Sequence, residues 1–152
     1  MNGRVLIIAG SDSGGGAGVQ ADIKSVTALG GFAATAITAL TAQNTVGVHD
    51  VFPVDVDFIQ KQMRVVLDDI GADSLKTGML HSSDVIEAVC AVIETEAAGI
   101  PLVVDPVMVA KGGASLLDTD SVTTLRDRLL PLARVITPNI PEAEEILCKP
   151  GT

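Results

Sequence analysis

The sequence predicts an α/β fold, a three-layer α/β/α domain built on a mainly parallel central sheet. Three observations carry this. Apolar strands alternate with amphipathic helices along the chain, an order that calls for right-handed crossovers. The strand runs are continuously apolar, as in a sheet covered on both faces. Polar residues (Asp12, Gln43, Lys76, Asp105, Asn139) gather after the strands, at the edge where open parallel sheets bind ligands.

Val5 to Ala9 reads as the first strand, and a glycine loop leads from it to a helix in which Val19, Ile23, Val26 and Leu29 recur at helical spacing. Gly30-Gly31 stops that helix. A second strand is expected over about Ala33 to Leu40, then a loop at Thr41–Thr45 and a short extended piece, Val48 to Val54. A helix from about Val56 to Asp69 ends at Gly71, the strand Ser74 to Thr77 follows, and Ser82-Ser83-Asp84 caps a helix reaching about Ala98. Leu102 to Val104 is a short buried strand ending in Asp105. A glycine-bearing loop, a helix from about Ser121 to Leu132, a strand from Arg134 to Thr137 and a brief helix from Pro141 to Leu147 complete the order. All of it is expected to form one site from five loops.

The 152 residues match the length of one domain, and 47% hydrophobic against 19% charged residues supply a substantial core. A net charge of -9 with ten scattered basic residues excludes a nucleic-acid surface as the expected partner. Cys90 and Cys148 fit neither a disulfide framework nor a metal spacing and read as reduced thiols. No leader or membrane-length apolar run is present, so a cytoplasmic location without a membrane partner is expected. With no Trp or Tyr and three Phe, a flat ligand must be gripped by aliphatic or Met side chains. His49 and His81 are lone loop histidines and receive no catalytic role.

The run Ala9 to Asp22 holds five glycines (10, 14, 15, 16 and 18) between strand and helix. Glycine lets backbone N–H groups press against a ligand at a positive helix end, which first suggests a phosphate cradle. Gly16-Ala-Gly-Val-Gln-Ala21 formally matches a dinucleotide fingerprint, but the loop is several residues too long, and Thr41-Ala-Gln43 offers no acid for a ribose. Ile23 stands where a P-loop needs glycine before Lys24-Ser25.

Five motifs in order resemble the hydroxymethylpyrimidine and phosphomethylpyrimidine kinases of thiamine synthesis: the run Ala9–Asp22, Ile37–Thr45, Lys76-Thr-Gly-Met-Leu80, Val104-Asp-Pro-Val-Met108 and Thr137–Glu144. The resemblance covers nearly the whole chain. It implies a ribokinase-like fold and ATP- and Mg²⁺-dependent phosphorylation of a small pyrimidine, first at its hydroxymethyl group and then on its monophosphate. It also implies that the glycine loop lines the acceptor pocket.

On this resemblance Gln43 binds the pyrimidine, and its carboxamide, with one donor and one acceptor face, complements a 4-aminopyrimidine edge. Asp22, Gly10, Ala17, Met79 and Val107 join it as substrate-binding residues, although the helix dipole alone would accommodate Asp22, and Met79 and Val107 could be ordinary core. Asp105, an acid ending a buried strand, calls for a cation; with Glu142 it is the candidate Mg²⁺ site, reached through water. Asn139, Glu142 and Lys111 fall on the phosphate side. Asn139 and Glu142 equally read as a capping box, and Lys111 as an exposed lysine.

In similar kinases the anion hole, the catalytic residue and most of the adenine pocket lie in a C-terminal half that does not occur before Thr152, so no catalytic residue is carried over. The chain is expected to be the N-terminal, substrate-binding part of a single ribokinase-like domain, cut after the sixth strand–helix unit and inactive alone. Such a cut exposes an apolar sheet edge. Two alternatives stay open: a pyridoxal-type vitamin kinase, and a non-catalytic pyrimidine-binding remnant. Similar enzymes dimerise, and Val48–Val54 is the candidate contact.

Overall fold

The computed structural model describes residues 2–109 and 117–147. Five strands form one parallel sheet: β1 (Arg4–Ala9), β2 (Phe32–Ile37), β5 (Ser74–Thr77), β6 (Leu102–Val104) and β7 (Val135–Ile136), in the order β2-β1-β5-β6-β7. A separate antiparallel pair joins β3 (Ala39–Gln43) to β4 (Val48–Pro53). The helices are α1 (Gly18–Ala28), α2 (Val56–Asp69), α3 (Ser83–Glu96), α4 (Thr119–Thr124) and α5 (Ile140–Leu147).

The parallel register sorts side chains onto two faces. Leu6, Ile8, Leu75, Leu102 and Val104 are fully or almost fully buried in the main core, with Ile59 and Met63 of α2 and the apolar side of α3. Ile7 and Ala9 point the other way and meet Val19 of α1. The outer layers are therefore unequal. The spacing of α1 suggested four core positions, but Leu29 is 76% exposed and Ile23 is exposed too, because α1 lies alone on its face.

The expected strand Ala33–Leu40 divides at Thr38, and the expected Thr41–Thr45 loop is strand as far as Gln43. Thr38 is fully buried and explains the break. Its N–H donates to Ala9 O at 3.0 Å, its hydroxyl donates to Met79 O at 2.7 Å, and its carbonyl accepts from Val54 N at 3.0 Å. The N–H still bonds to β1, as the last rung of the parallel ladder, but the carbonyl turns to Val54, and the chain leaves the parallel sheet there. It becomes a hairpin whose turn is tied by Asn44, which accepts from Val46 N at 2.9 Å and Gly47 N at 3.2 Å.

The helix expected from Ser121 begins at Thr119, because Asp118 caps it by accepting from Ser121 N at 2.7 Å. It continues as a wider π turn over Leu125–Leu129 and a tight 3-10 turn over Leu130–Leu132, where Pro131 removes a backbone donor. At the outer edge, Val135 is 49% and Ile136 44% exposed, the apolar edge expected from the strand count. Among the described residues no helix is long and apolar enough to cross a membrane.

Candidate active site

A cavity of about 640 Å³ opens at the C-terminal ends of the parallel strands. It is walled by the loop after β1, the tip of the hairpin, the end of β5 and the turn after β6. Gln43, Asp22, Gly10, Ala17, Met79, Val107 and Asp105 all line it, so seven of the predicted site residues share one space.

The glycine loop is held by its own acid. Asp12 is 5% exposed, and its carboxylate accepts from Gly14 N at 2.8 Å, Gly16 N at 2.9 Å and Ala17 N at 2.8 Å. These are the amides that a phosphate cradle would need. The loop therefore shapes the cavity wall instead of presenting free donors, which overturns the first suggestion of an anion cradle. Gly18 begins α1 at φ +57°, and a Cβ there would stand 2.6 Å from the Gly10 carbonyl, so only glycine brings α1 this close to the end of β1.

Asp22 sits in the second turn of α1, past the reach of the first-turn dipole, and owes its place to a partner. Lys76 Nζ donates to Asp22 Oδ2 at 2.7 Å and lies 3.7 Å from Asp105 Oδ2. Register puts Lys76 between Ile7 and Val103, on the face that α1 covers. A lysine within a mostly buried strand was the available signal for this cluster. Burial pushes the Asp105 carboxyl above its ordinary value; Lys76 pulls it back and Asp22 pushes it further up.

Gln43 ends β3 at a register shift, held to the glycine loop by Ser13, whose hydroxyl accepts from Gln43 N at 2.8 Å and donates to Gln43 O at 2.7 Å. The Thr41 hydroxyl lies 3.3 Å from the Gln43 carboxamide. Beneath them Met79 is almost fully buried, and its carbonyl accepts from Gly10 N at 3.1 Å. Val107 projects from a tight turn closed by its own N–H to Asp105 O at 2.9 Å.

The fifth expected loop does not join this cavity. Asn139 follows β7, which β5 and β6 separate from β1, and with Glu142 it lines a neighbouring cavity of about 570 Å³. The two cavities share Val109. Asn139 and Glu142 form the capping box: Asn139 N donates to Glu142 Oε2 at 3.0 Å, and Glu142 N to Asn139 Oδ1 at 2.8 Å. Among the described residues no three His, Cys, Asp or Glu side chains cluster as a metal site. Asp105 lines the first cavity and Glu142 the second. Lys111 lies outside the described residues.

Comparison with known proteins identifies the family. The chain is 53% identical over 143 residues to the hydroxymethylpyrimidine/phosphomethylpyrimidine kinase of Bacillus subtilis, covering 94% of this chain and 52% of that protein. It is 54% identical over 144 residues to the thiamine biosynthesis bifunctional protein of Geobacter sulfurreducens, covering 95% of this chain and 29% of the other. The phosphomethylpyrimidine kinase structure from Clostridium difficile superposes with a TM-score of 0.88 at 46% identity, covering 95% of this chain and 62% of that one. A pyridoxal kinase structure from Staphylococcus aureus, in complex with pyridoxal, superposes at 0.83 with 40% identity, covering 94% and 52%. The chain thus spans about half the length, or less, of these two curated relatives. Its fold is that of the ribokinase-like kinases, and with the phosphomethylpyrimidine kinase family model matching residues 12–151, the chain belongs to that family.

Proposed function

We propose that this chain forms the acceptor-binding part of a kinase of thiamine biosynthesis. The kinase transfers the γ-phosphoryl group of ATP to the hydroxymethyl oxygen of 4-amino-5-hydroxymethyl-2-methylpyrimidine, and then phosphorylates the monophosphate. The hydroxyl oxygen forms the new P–O bond, ADP leaves, and the hydroxyl proton is released. The observation that carries this reading is the shared cavity: Gln43 and Asp22 line it together with Met79 and Val107, two apolar side chains suited to the faces of a flat ring.

In this reading Gln43 pairs with the aminopyrimidine edge, Asp22 takes the hydroxyl or amine, and Gly10 and Ala17 close the loop wall. ATP and Mg²⁺ enter from the neighbouring cavity, with Asn139, Glu142 and Lys111 on the phosphate side. Asp105 and Glu142 would hold the metal through water, and Mg²⁺ would supply charge neutralisation at the phosphates. No anion hole or catalytic residue is assigned within residues 1–152, and the isolated chain is expected to bind the pyrimidine without turning it over. The protein works in the cytoplasm. The hairpin, with Phe52 70% exposed, is the contact between two copies, which sedimentation would detect as a dimer lost on Phe52→Ser.

Pyridoxal phosphorylation is the second reading, favoured by the pyridoxal kinase structures at 43% and 40% identity. Titration calorimetry of the chain with the hydroxymethylpyrimidine and with pyridoxal separates the two. The pyrimidine is expected to bind and Gln43→Ala to remove most of the affinity. Preference for pyridoxal, or equal binding by Gln43→Ala, would overturn the assignment.

A further inference from the structure

We infer that Thr41 fixes which end of the Gln43 carboxamide faces the cavity, and so makes the site reject the 4-oxo, deaminated form of the pyrimidine. The inference rests on the proposed reading of Gln43 as the residue that pairs with the ring.

Thr41 belongs to a tight seam between β3 and the start of the glycine loop. Ser11 N donates to Ala39 O at 2.9 Å, and Thr41 N donates to Ser11 Oγ at 3.1 Å. The Thr41 hydroxyl oxygen lies 2.8 Å from the Ser11 carbonyl oxygen and 3.3 Å from the carboxamide end of Gln43 that the structure places as Oε1. A hydroxyl has one proton, and a backbone carbonyl can only accept. The proton therefore goes to Ser11, at the shorter distance, and toward Gln43 the Thr41 oxygen can only accept.

The two ends of a carboxamide are alike in size, so the hydrogen-bond network assigns them. With Thr41 an acceptor, the near end must be the NH₂ group. Nε2 then donates to Thr41 Oγ1, and Oε1 occupies the other terminal position. The orientation with Oε1 toward Thr41, as the carboxamide is placed, brings two oxygens to 3.3 Å with no proton between them, or leaves the Ser11 carbonyl without the Thr41 hydroxyl. Loss of one such bond disfavours it by roughly tenfold.

Among the described residues nothing takes the second proton of Nε2, so the carboxamide offers the ligand an acceptor and a donor in fixed order. A 4-aminopyrimidine complements that order with its exocyclic N–H and its ring nitrogen. The 4-oxo ring presents a carbonyl and a ring N–H along the same edge, the opposite order, and fits only a rotated carboxamide. Thr41 is thus a positioning residue for specificity, acting through Gln43.

Calorimetric titration of the wild-type chain, Thr41→Val and Thr41→Ser with the 4-amino and 4-oxo forms of 5-hydroxymethyl-2-methylpyrimidine tests this. Wild type and Thr41→Ser should prefer the amino ring, and Thr41→Val should lose about fivefold or more of that preference. An unchanged ratio in Thr41→Val overturns the role of Thr41 and leaves that of Gln43 standing. A wild-type chain that binds neither ring, or a Gln43→Ala chain that binds both as wild type does, overturns the reading of Gln43 and this inference with it. Should Thr41→Val not fold, proton NMR of the free wild-type chain decides: the Gln43 side-chain NH₂ protons should cross-relax with the Thr41 side chain, and their failure to do so overturns the inference.

Discussion

Lys76 and Asp22 meet at 2.7 Å across the gap between β5 and α1, and the same ammonium lies 3.7 Å from Asp105. One cation thus serves two carboxylates at the mouth of the cavity. Removing it with Lys76→Met should raise the Asp105 carboxyl further above its ordinary 3.8, since burial and Asp22 already push upward and Lys76 alone among the charges opposes them. A raised acid binds its proton more tightly folded than unfolded, so its contribution to stability is present below about pH 4 and is lost as pH rises through the folded value. Carboxyl-carbon NMR titration of wild type and variant measures the shift, and no upward movement would refute the shared-cation account.

Asp12 should matter to stability out of proportion to its loop position. Asp12→Ala leaves the Gly14, Gly16 and Ala17 amides without their acceptor and is expected to cost about 2–3 kcal/mol in urea denaturation. Asp12→Asn keeps one oxygen and should lose less.

Gly10→Ala separates packing from binding. The added Cβ would collide with the Met79 methyl group, the mobile end of a flexible side chain, which can swing aside. Stability should change by less than about 1 kcal/mol, while pyrimidine affinity falls about tenfold as Met79 turns into the cavity. Denaturation and calorimetry on the same sample test both halves.

Glu142 has two readings, cap and metal ligand, and paired variants tell them apart. Glu142→Gln retains an acceptor for Asn139 N and should leave stability within about 0.5 kcal/mol of wild type, whereas Glu142→Ala should lose about 1 kcal/mol. Equal damage by both would mean that the charge, and not the cap, is what the fold uses.

At the opposite end of the sheet, the Arg4 side chain and backbone N–H hold the Asp73 carboxyl down at about 2. A depressed acid contributes stability above its ordinary 3.8 that is lost as pH falls toward about 2. Arg4→Met should return the Asp73 midpoint toward 3.8 in an NMR titration, and an unmoved midpoint would exclude the pair as the cause.

The strands β1, β5 and β6 and the helices α2 and α3 were legible because each is an apolar run or a helical period closed by a capping side chain or glycine. Of the hairpin, β4 matches the extended piece expected over Val48 to Val54, but β3 was not legible beyond Leu40, because Thr41, Ala42 and Gln43 pair through backbone and serine hydroxyls and carry no apolar alternation. Asn44 and Gly47, three residues apart, were the signal for the hairpin turn. Asp22, Gln43 and Met79 line one cavity as expected, whereas Lys76 was placed at the ligand edge without a role, since a strand lysine shows no partner until α1 is laid across it. Asn139 and Glu142 could be read only as a pair, since nothing in a linear spacing tells how far β7 stands from β1.

The strand order has a kinetic side. Once β2 has paired with β1, every later strand of the parallel sheet adds to the opposite edge, in the sequence in which the ribosome delivers it. The decisive closure is the first of these, when residues 5–8 must capture residues 74–77 across the whole intervening chain. Until then, one side of β1 has no strand to pair with. The rate-limiting event of folding is accordingly expected at the β1–β5 seam, beneath the lysine that later bridges Asp22 and Asp105.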